Sequence, residues 1–393
     1  MTKRKHPWFI VSELKCNKTI IKIIIFAVIF IALISCNTSN NNNSNSSGEK
    51  SYSSIEEDES GFLTITVDVN KNEPLLLSYI ADEVKKIELE TESKPSSRKK
   101  VLFSGDYIFL LTVDEASSVL LFDNNGKFLN QIGSSGIGLG QYGKIYDIAA
   151  DFKNEKIYVS TEGSKLICYD FVGNVINEAY NKNLAFMHFL NNKLFSSSEH
   201  IEKGDVSEFK AKNMIYEIND NLKIIDSIKI RDVDLKNKSY IRLDDGNYMT
   251  CVDGETYIFY PVNIPDHMLP KPFITDTLYL LKGKTLIPHL KIHSETTEKK
   301  RMIEFIFRNT RFIFAKYIYI GGEDAYSFFC YDMKEKKGYH MKKGFRDDIH
   351  TGEIVRIHPV DSDANKFYYL HSNQSDLSKN ESNLTLYIGT FKK

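Results

Sequence analysis

The sequence predicts an all-β fold: a six-bladed β-propeller of four-stranded antiparallel blades, its ring closed by an N-terminal strand. Three observations lead there. An apolar residue followed by an aromatic one recurs six times, at Leu121-Phe122-Asp123, Cys168-Tyr169-Asp170, Ile215-Tyr216-Glu217, Leu278-Tyr279-Leu280, Cys330-Tyr331-Asp332 and Leu386-Tyr387-Ile388. The aromatic positions lie 47, 47, 63, 52 and 56 residues apart, near the roughly 40 to 50 residues of one four-stranded blade once loop insertions are allowed. Finally, residues 122–170 read as one whole period. An Asn125-Gly126 turn leads into a strand over 127–132, a crossing follows through Gly133, Gly136, Gly138, Gly140 and Gly143, and two strand-like runs over 145–151 and 156–160 return to the signature. Asn-Gly is favoured in tight hairpins whose two central residues both need positive φ.

Taken in order, the chain begins with a leader. Six of its 51 basic residues but one of its 52 acidic ones fall in the first 35 positions, so the remainder is mildly acidic. An apolar run over 23–34 is too short to span a bilayer comfortably. It ends in Leu33-Ile34-Ser35-Cys36, similar to a bacterial lipobox, in which the cysteine is diacylated and becomes the new N-terminus. Residues 1–36 are therefore expected to be a lipoprotein signal peptide, with Cys36 as the lipidation site. Residues 37–47 are almost all Asn and Ser, a composition that buries no core, and Glu56, Glu57, Asp58 and Glu59 extend them, so 37–60 is expected to be a disordered tether. The propeller domain is 61–393.

Within it, 61–69 alternates as a strand should. Ser78 is placed to cap one helical turn through Asp82, and the chain becomes a strand from Val84. A polar loop is expected over 91–100, then blades over 101–132, 145–177, 184–230, 240–292, 305–341 and 355–391. Pro261, Pro265, Pro270 and Pro272 mark an insertion in blade four as a surface loop, because proline cannot donate to a ladder. A short helix is expected over 295–304. After Leu386-Tyr387-Ile388 too little chain remains for an outer strand, so one early segment, 62–69 or 84–90, should supply it and cover an edge that would otherwise invite aggregation.

The crossing IGSSGIGLGQY followed by YDIAADFKNEKIYV resembles an NHL-type blade junction. Together with LLLSYIADEVKKIELET, PFITDTLYLLKGKTLIPHLKI and FRDDIHTGE, it makes the chain from about Leu75 similar to the six-bladed β-propeller lipoproteins of Bacteroides-type bacteria, which are NHL-like or TolB-like propellers. The resemblance implies a fold and a cell-envelope location and little chemistry.

Local motifs for chemistry are weak. Gly136-x-Gly138-x-Gly140 is followed by strand-like sequence and not by the helix a dinucleotide fingerprint needs, so its glycines are read as permitting close backbone approach between blades. Asp361-Ser-Asp363-Ala-Asn365 alternates like a calcium loop, but Lys366 replaces the glycine and Ser372 the bidentate acid, which leaves a solvated turn. Asp232-Val-Asp234 is weaker still. His289 and His293 would sit about 13 Å apart on a strand, too far to share a metal, and neither HExxH nor CxxC occurs. The pairs Asp244-Asp245 and Asp347-Asp348 are adjacent, which on a strand sends the two carboxylates to opposite faces. Cys168 and Cys330 occupy one position of blades three apart, so they cannot form a disulfide, and Cys251 is expected to be buried and free. The abundant Phe and Tyr are read as packing between blades.

The near-balanced charge lacks the basic footprint of a nucleic-acid binder. No catalytic, cofactor or metal residue is nominated, and the ligand-binding residues are left open. The expected protein is a monomeric, lipid-anchored, non-enzymatic platform for a protein, peptide or glycan. The alternative is a metal-dependent hydrolase or lyase in the central channel, for which acidic or histidine side chains from three blades should meet at one point.

Overall fold

The third strand of every blade carries the repeated signature, which is why the repeat was visible in the sequence. In the computed structural model these strands are Ser118–Asp123, Lys165–Asp170, Phe209–Ile218, Thr277–Lys282, Tyr326–Asp332 and Leu384–Phe391. The structure describes residues 53–68, 72–90, 99–112, 117–182, 184–203, 209–235, 249–261, 276–294, 301–319, 326–372 and 384–393. The six sheets form a ring, a six-bladed propeller. Signature aromatics such as Phe122, Tyr169 and Tyr331 are fully or nearly fully buried. Tyr369 and Tyr387 stack with centroids 4.6 Å apart in blade six.

The signature's final acid has a structural task. In blade one the Asp123 carboxylate accepts the amides of Asn125 and Lys127, and Gly126 N–H closes the turn on Asp123 C=O. Asp170 and Gly173 repeat this in blade two, whereas in blade three Asn219, two residues past the signature's Glu217, takes the same place with Leu222. Gly126 takes positive φ, 91°, whereas Asn125 is absent from the positive-φ residues. The turn is thus closed by a single left-handed residue, and the expectation of two is corrected. A Cβ at Gly126 would lie 2.1 Å from Glu88 C=O, because this turn packs directly on the strand that closes the ring.

That closing strand is Ala81–Leu89, antiparallel to Leu384–Phe391, so blade six has its outer strand from the N-terminal side. Lys392 N–H to Ile80 C=O (2.8 Å) and Lys392 Nζ to Ser78 C=O (2.7 Å) latch the two ends. Phe391 lies on Phe307, Phe314 and Phe367. The other early strand, Leu63–Val67, goes elsewhere. It runs parallel to the end of Thr285–Ser294 and carries Ser53–Glu57 on its far side, making blade four six-stranded. Ser53–Glu57 therefore extends a sheet inside the stretch expected to be tether.

Several local expectations change. The helical turn is Leu77–Ile80 and has no side-chain cap. Ser78 instead donates its hydroxyl to Asp348, 2.5 Å away. Residues 301–304 belong to the strand Arg301–Arg308, which opens blade five, so no helix occupies them. Lys99 and Lys100, expected in a loop, begin the innermost strand of blade one, Lys99–Ser104. Blade six starts at His358, because Ile354–Val355 pairs with Phe345–Arg346 instead. Cys36, Asp244, Asp245, His267, residues 295–300 and most of the proline-rich insertion lie outside the described residues.

Candidate functional site: a pinned loop and a salt-bridged channel

The glycine-rich crossing leaves the outer strand of blade one, Phe128–Ile132, and enters the innermost strand of blade two, Ile145–Asp151. It is held closely. Lys165 Nζ donates to Gly138 C=O (2.8 Å) and Gln141 C=O (3.0 Å) and pairs with Glu178 at 2.8 Å. Glu178 also accepts Gly140 N–H, and Tyr169 Oη donates to Gly140 C=O. The Gly140 amide, and then the Lys165 ammonium, hold the Glu178 carboxyl below its ordinary range. Gly140 itself has φ 64°, and a Cβ there would lie 2.1 Å from a Val175 methyl. Gly133 and Gly140 thus permit the close approach expected from the sequence, whereas a Cβ at Gly143 would meet nothing within 4 Å.

What this loop presents is apolar. Ile137 is 97% exposed and Leu139 80%. Beside them Val172 is 75%, Ile176 50% and Tyr180 70% exposed. The crossing runs along the outer strand of blade two: Val175 lies against Gly140, Asn130 Nδ2 donates to Val172 C=O, and Lys165 Nζ is 5.9 Å from the Tyr180 ring centre. A fold gains nothing from holding Ile and Leu in water. Contiguous exposed apolar side chains on a rigid support mark interaction surfaces.

The second feature is an ion cluster that joins innermost strands of several blades. Lys100 of blade one extends its ammonium to Asp147 of blade two at 2.9 Å, to Met187 C=O of blade three at 3.1 Å and to Asp361 of blade six at 3.6 Å. Asp147 also accepts Met187 N–H at 2.8 Å. His188 Nδ1 lies 3.0 Å from Asp361, whose backbone C=O accepts Cys251 N–H from blade four. Burial would raise the Asp361 carboxyl, but Lys100 and His188 outweigh it and hold it below its ordinary range. Burial likewise opposes the charge on Lys100, and Asp147 and Asp361 reverse the balance and raise its pKa.

Acidic and histidine side chains from three blades therefore do converge, as the enzymatic alternative required, but around a lysine ammonium. Among the described residues no group of three His, Cys, Asp or Glu is placed to hold a metal ion. Asp361 points into the channel and is thus a buried ion-pair member, which corrects the solvated turn expected there. Asp363 accepts Asn365 N–H instead.

A family model for a domain of unknown function, DUF4934, matches residues 62–388. The chain belongs to the DUF4934 family. Among solved structures it is similar to a Bacteroides fragilis protein described as a "putative exported protein", at 15% identity and TM-score 0.59, covering 84% of this chain and 99% of that one. It also matches BamB of Moraxella catarrhalis at 10% identity and TM-score 0.43, covering 78% and 99% respectively. No curated protein matches.

The remaining nominated residues of this DUF4934 chain are dispersed. His289 contacts Arg308 and Tyr257, while His293 pairs with Thr66. Asp347 takes the amides of Ile349, His350 and Thr351 and the Tyr369 hydroxyl, so FRDDIHTGE is a turn built on one buried carboxylate. Asp348 faces Ser78 instead. Cys168 and Cys330 are buried and free, and burial pushes the Cys168 thiol up to about 11. Cys251 is free but only half-buried, against expectation, with Sγ 3.3 Å from Asn191 Oδ1. Sequence reading missed Lys165 and Glu178 as loop holders. The available signal was a lysine opening the apolar strand KLICYD.

Proposed function

We propose that this protein is a lipid-anchored cell-envelope propeller that serves as a non-enzymatic interaction platform, docking a protein partner on the junction of blades one and two. The observation that carries the reading is the exposure of Ile137 and Leu139 on a loop tied down by Lys165, Glu178 and Tyr169. Burying an aliphatic side chain of this size is worth about 1.5–3 kcal/mol. Two on a preorganised loop offer apolar area to a partner without the entropy loss of ordering it. The lipobox at Cys36 and the similarity to an exported Bacteroides protein support the envelope location. Ser53–Glu57, where the described chain begins, lies on blade four, three blades round from blade one.

The channel favours the same reading over the hydrolytic alternative. The carboxylates a catalytic cation would need are engaged by Lys100, and replacing that ammonium would leave two buried charges to be compensated anew.

The test is photocrosslinking in the native host, with a photoreactive amino acid at position 139, at the exposed position 172 and, as the control, at position 283 on blade four. Discrete adducts from 139 and 172 that Gly283 does not give are expected. The same adducts from all three positions, or from none, would overturn the reading.

A further inference from the structure

The crossing that carries Ile137 and Leu139 enters the start of an innermost strand, Ile145–Asp151, so it lies at one end of the ring. At the other end, where innermost strands finish, blades four, five and six border an open cleft of about 510 Å³, within the range of small-molecule sites. Asp253 and Thr310 follow the innermost strands Met249–Val252 and Arg301–Arg308, and Asn365 lines the cleft from blade six. Met333, Lys334 and Lys393 follow the third strands of blades five and six, which run in the same direction as the first.

The wall of this cleft is fixed, and its free groups are of both signs. Arg311 is held by Asp332 at 2.7 Å and donates to Lys393 C=O at 3.3 Å. Thr310 Oγ1 donates to Asn365 Oδ1 at 3.5 Å, tying blade five to blade six. Asp253, Lys334 and Lys393 are exposed, and among the described residues their charged groups make no ion pair or hydrogen bond. An anion suits the two ammoniums but meets the Asp253 carboxylate, and a cation meets the reverse. A hydroxyl, donor and acceptor in one atom, suits both. Met333 alone supplies an apolar side chain, so an alkyl body finds little to bury against.

We infer that this cleft binds a neutral mono- or disaccharide. Its vicinal hydroxyls donate to Asp253 and accept from Lys334 and Lys393, Thr310 and Asn365 take a further hydroxyl, and Met333 lies along a C–H face. The site is at the opposite end of the ring from Ile137 and Leu139, so it stands whether or not a protein docks on that loop.

The experiment follows amide chemical shifts of the full chain in detergent during titration with methyl β-D-glucoside, methyl β-D-galactoside and methyl α-D-mannoside. Methyl β-D-glucuronide and glucosamine are the anionic and cationic probes, and cyclohexanol is the apolar ring. Saturable shifts at Gly254, Thr310, Lys334 and Asn365 are expected with at least one neutral glycoside, bound about fivefold or more tighter than the three controls. Asp253→Asn and Lys334→Gln should each weaken that glycoside about fivefold, because each removes a hydrogen bond to a charged group. Neither should move the melting temperature, since both side chains are exposed and Asn tolerates the left-handed backbone of position 253, φ 51°. Binding led by the glucuronide or by glucosamine, equal binding of cyclohexanol, variants that bind as tightly as the parent, shifts confined to other parts of the surface, or no saturable shift with any glycoside would each overturn the inference.

Discussion

At the scale of single residues the fold rests on buried carboxylates and the cations and donors that hold them, some within a blade and some across blades. Lys100 is the clearest case. Removing one member of a buried ion pair leaves the other charges uncompensated and costs about 3–5 kcal/mol. Lys100→Met should therefore lower urea-unfolding stability by about that amount, and a loss under about 1 kcal/mol would contradict the geometry. Asp332, Asp347 and Asp361 also set the acid limit. Burial alone would raise each carboxyl; it is outweighed at Asp332 by Arg311, at Asp347 by Thr351, His350 and Tyr369, and at Asp361 by Lys100 and His188. A folded pKa below the unfolded value of about 3.9 gives stability that is present above that value and lost as pH falls through the folded one. The melting temperature should thus hold from about pH 7 to 5 and fall below about pH 4, and Asp347→Asn should lower the plateau while flattening the fall. A variant with an acid limb as steep as the parent's would show that Asp347 contributes nothing to it. Of this residue-level picture, the turn at Asn125-Gly126 was legible, but Asp123 and Asp170 were read only as the ends of a repeat and not as the carboxylates that close the turns. Lys100 was not: its partners stand 47 and 261 positions away, and the charges of Lys99 and Lys100 disguised a strand as a loop. Asp361 was noticed for a local pattern it does not use.

At the scale of elements, the ring's closure was legible in outline because the missing outer strand of blade six is a matter of counting. Which early segment fills it was decided by Leu77–Ile80, whose turn delivers Ala81 beside Phe391. The parallel addition of Leu63–Val67 to blade four had no sequence signal beyond alternation, since alternation states that a strand exists and not where it pairs. The two roles separate in truncation. A chain starting at residue 72 should stay monomeric and keep its strand content, because it loses only the cover of blade four. A chain starting at residue 91 exposes the edge of Leu384–Phe391 and should aggregate. Size-exclusion chromatography with circular dichroism distinguishes them, and equal behaviour of the two would contradict the assignment of the closing strand. The glycine-rich crossing shows the reverse balance. Its glycines announced close approach, but that it would be gripped by Lys165 and Glu178 while holding Ile137 and Leu139 outward emerges only once blade two is folded beneath it.

At the scale of the whole molecule, the proposed platform rests on an ion cluster that joins innermost strands of several blades and on a loop that displays Ile137 and Leu139 to solvent. The anchor is tested separately: Cys36→Ala should block acyl labelling and leave the precursor unprocessed, and normal incorporation of radiolabelled palmitate would remove the lipid from the account. The central claim is that Ile137 and Leu139 exist for a partner and not for the fold. The measurement that tests it most directly is the paired one on the Ile137→Ser, Leu139→Ser double variant: its unfolding free energy, and the size of the complex it forms in solubilised envelopes on a native gel. Exposed side chains away from the core contribute within about 0.5 kcal/mol each to stability, so the predicted result is unchanged stability with loss of the larger complex. A fall of several kcal/mol with the complex intact would show that these residues serve the fold and that the docking surface lies elsewhere.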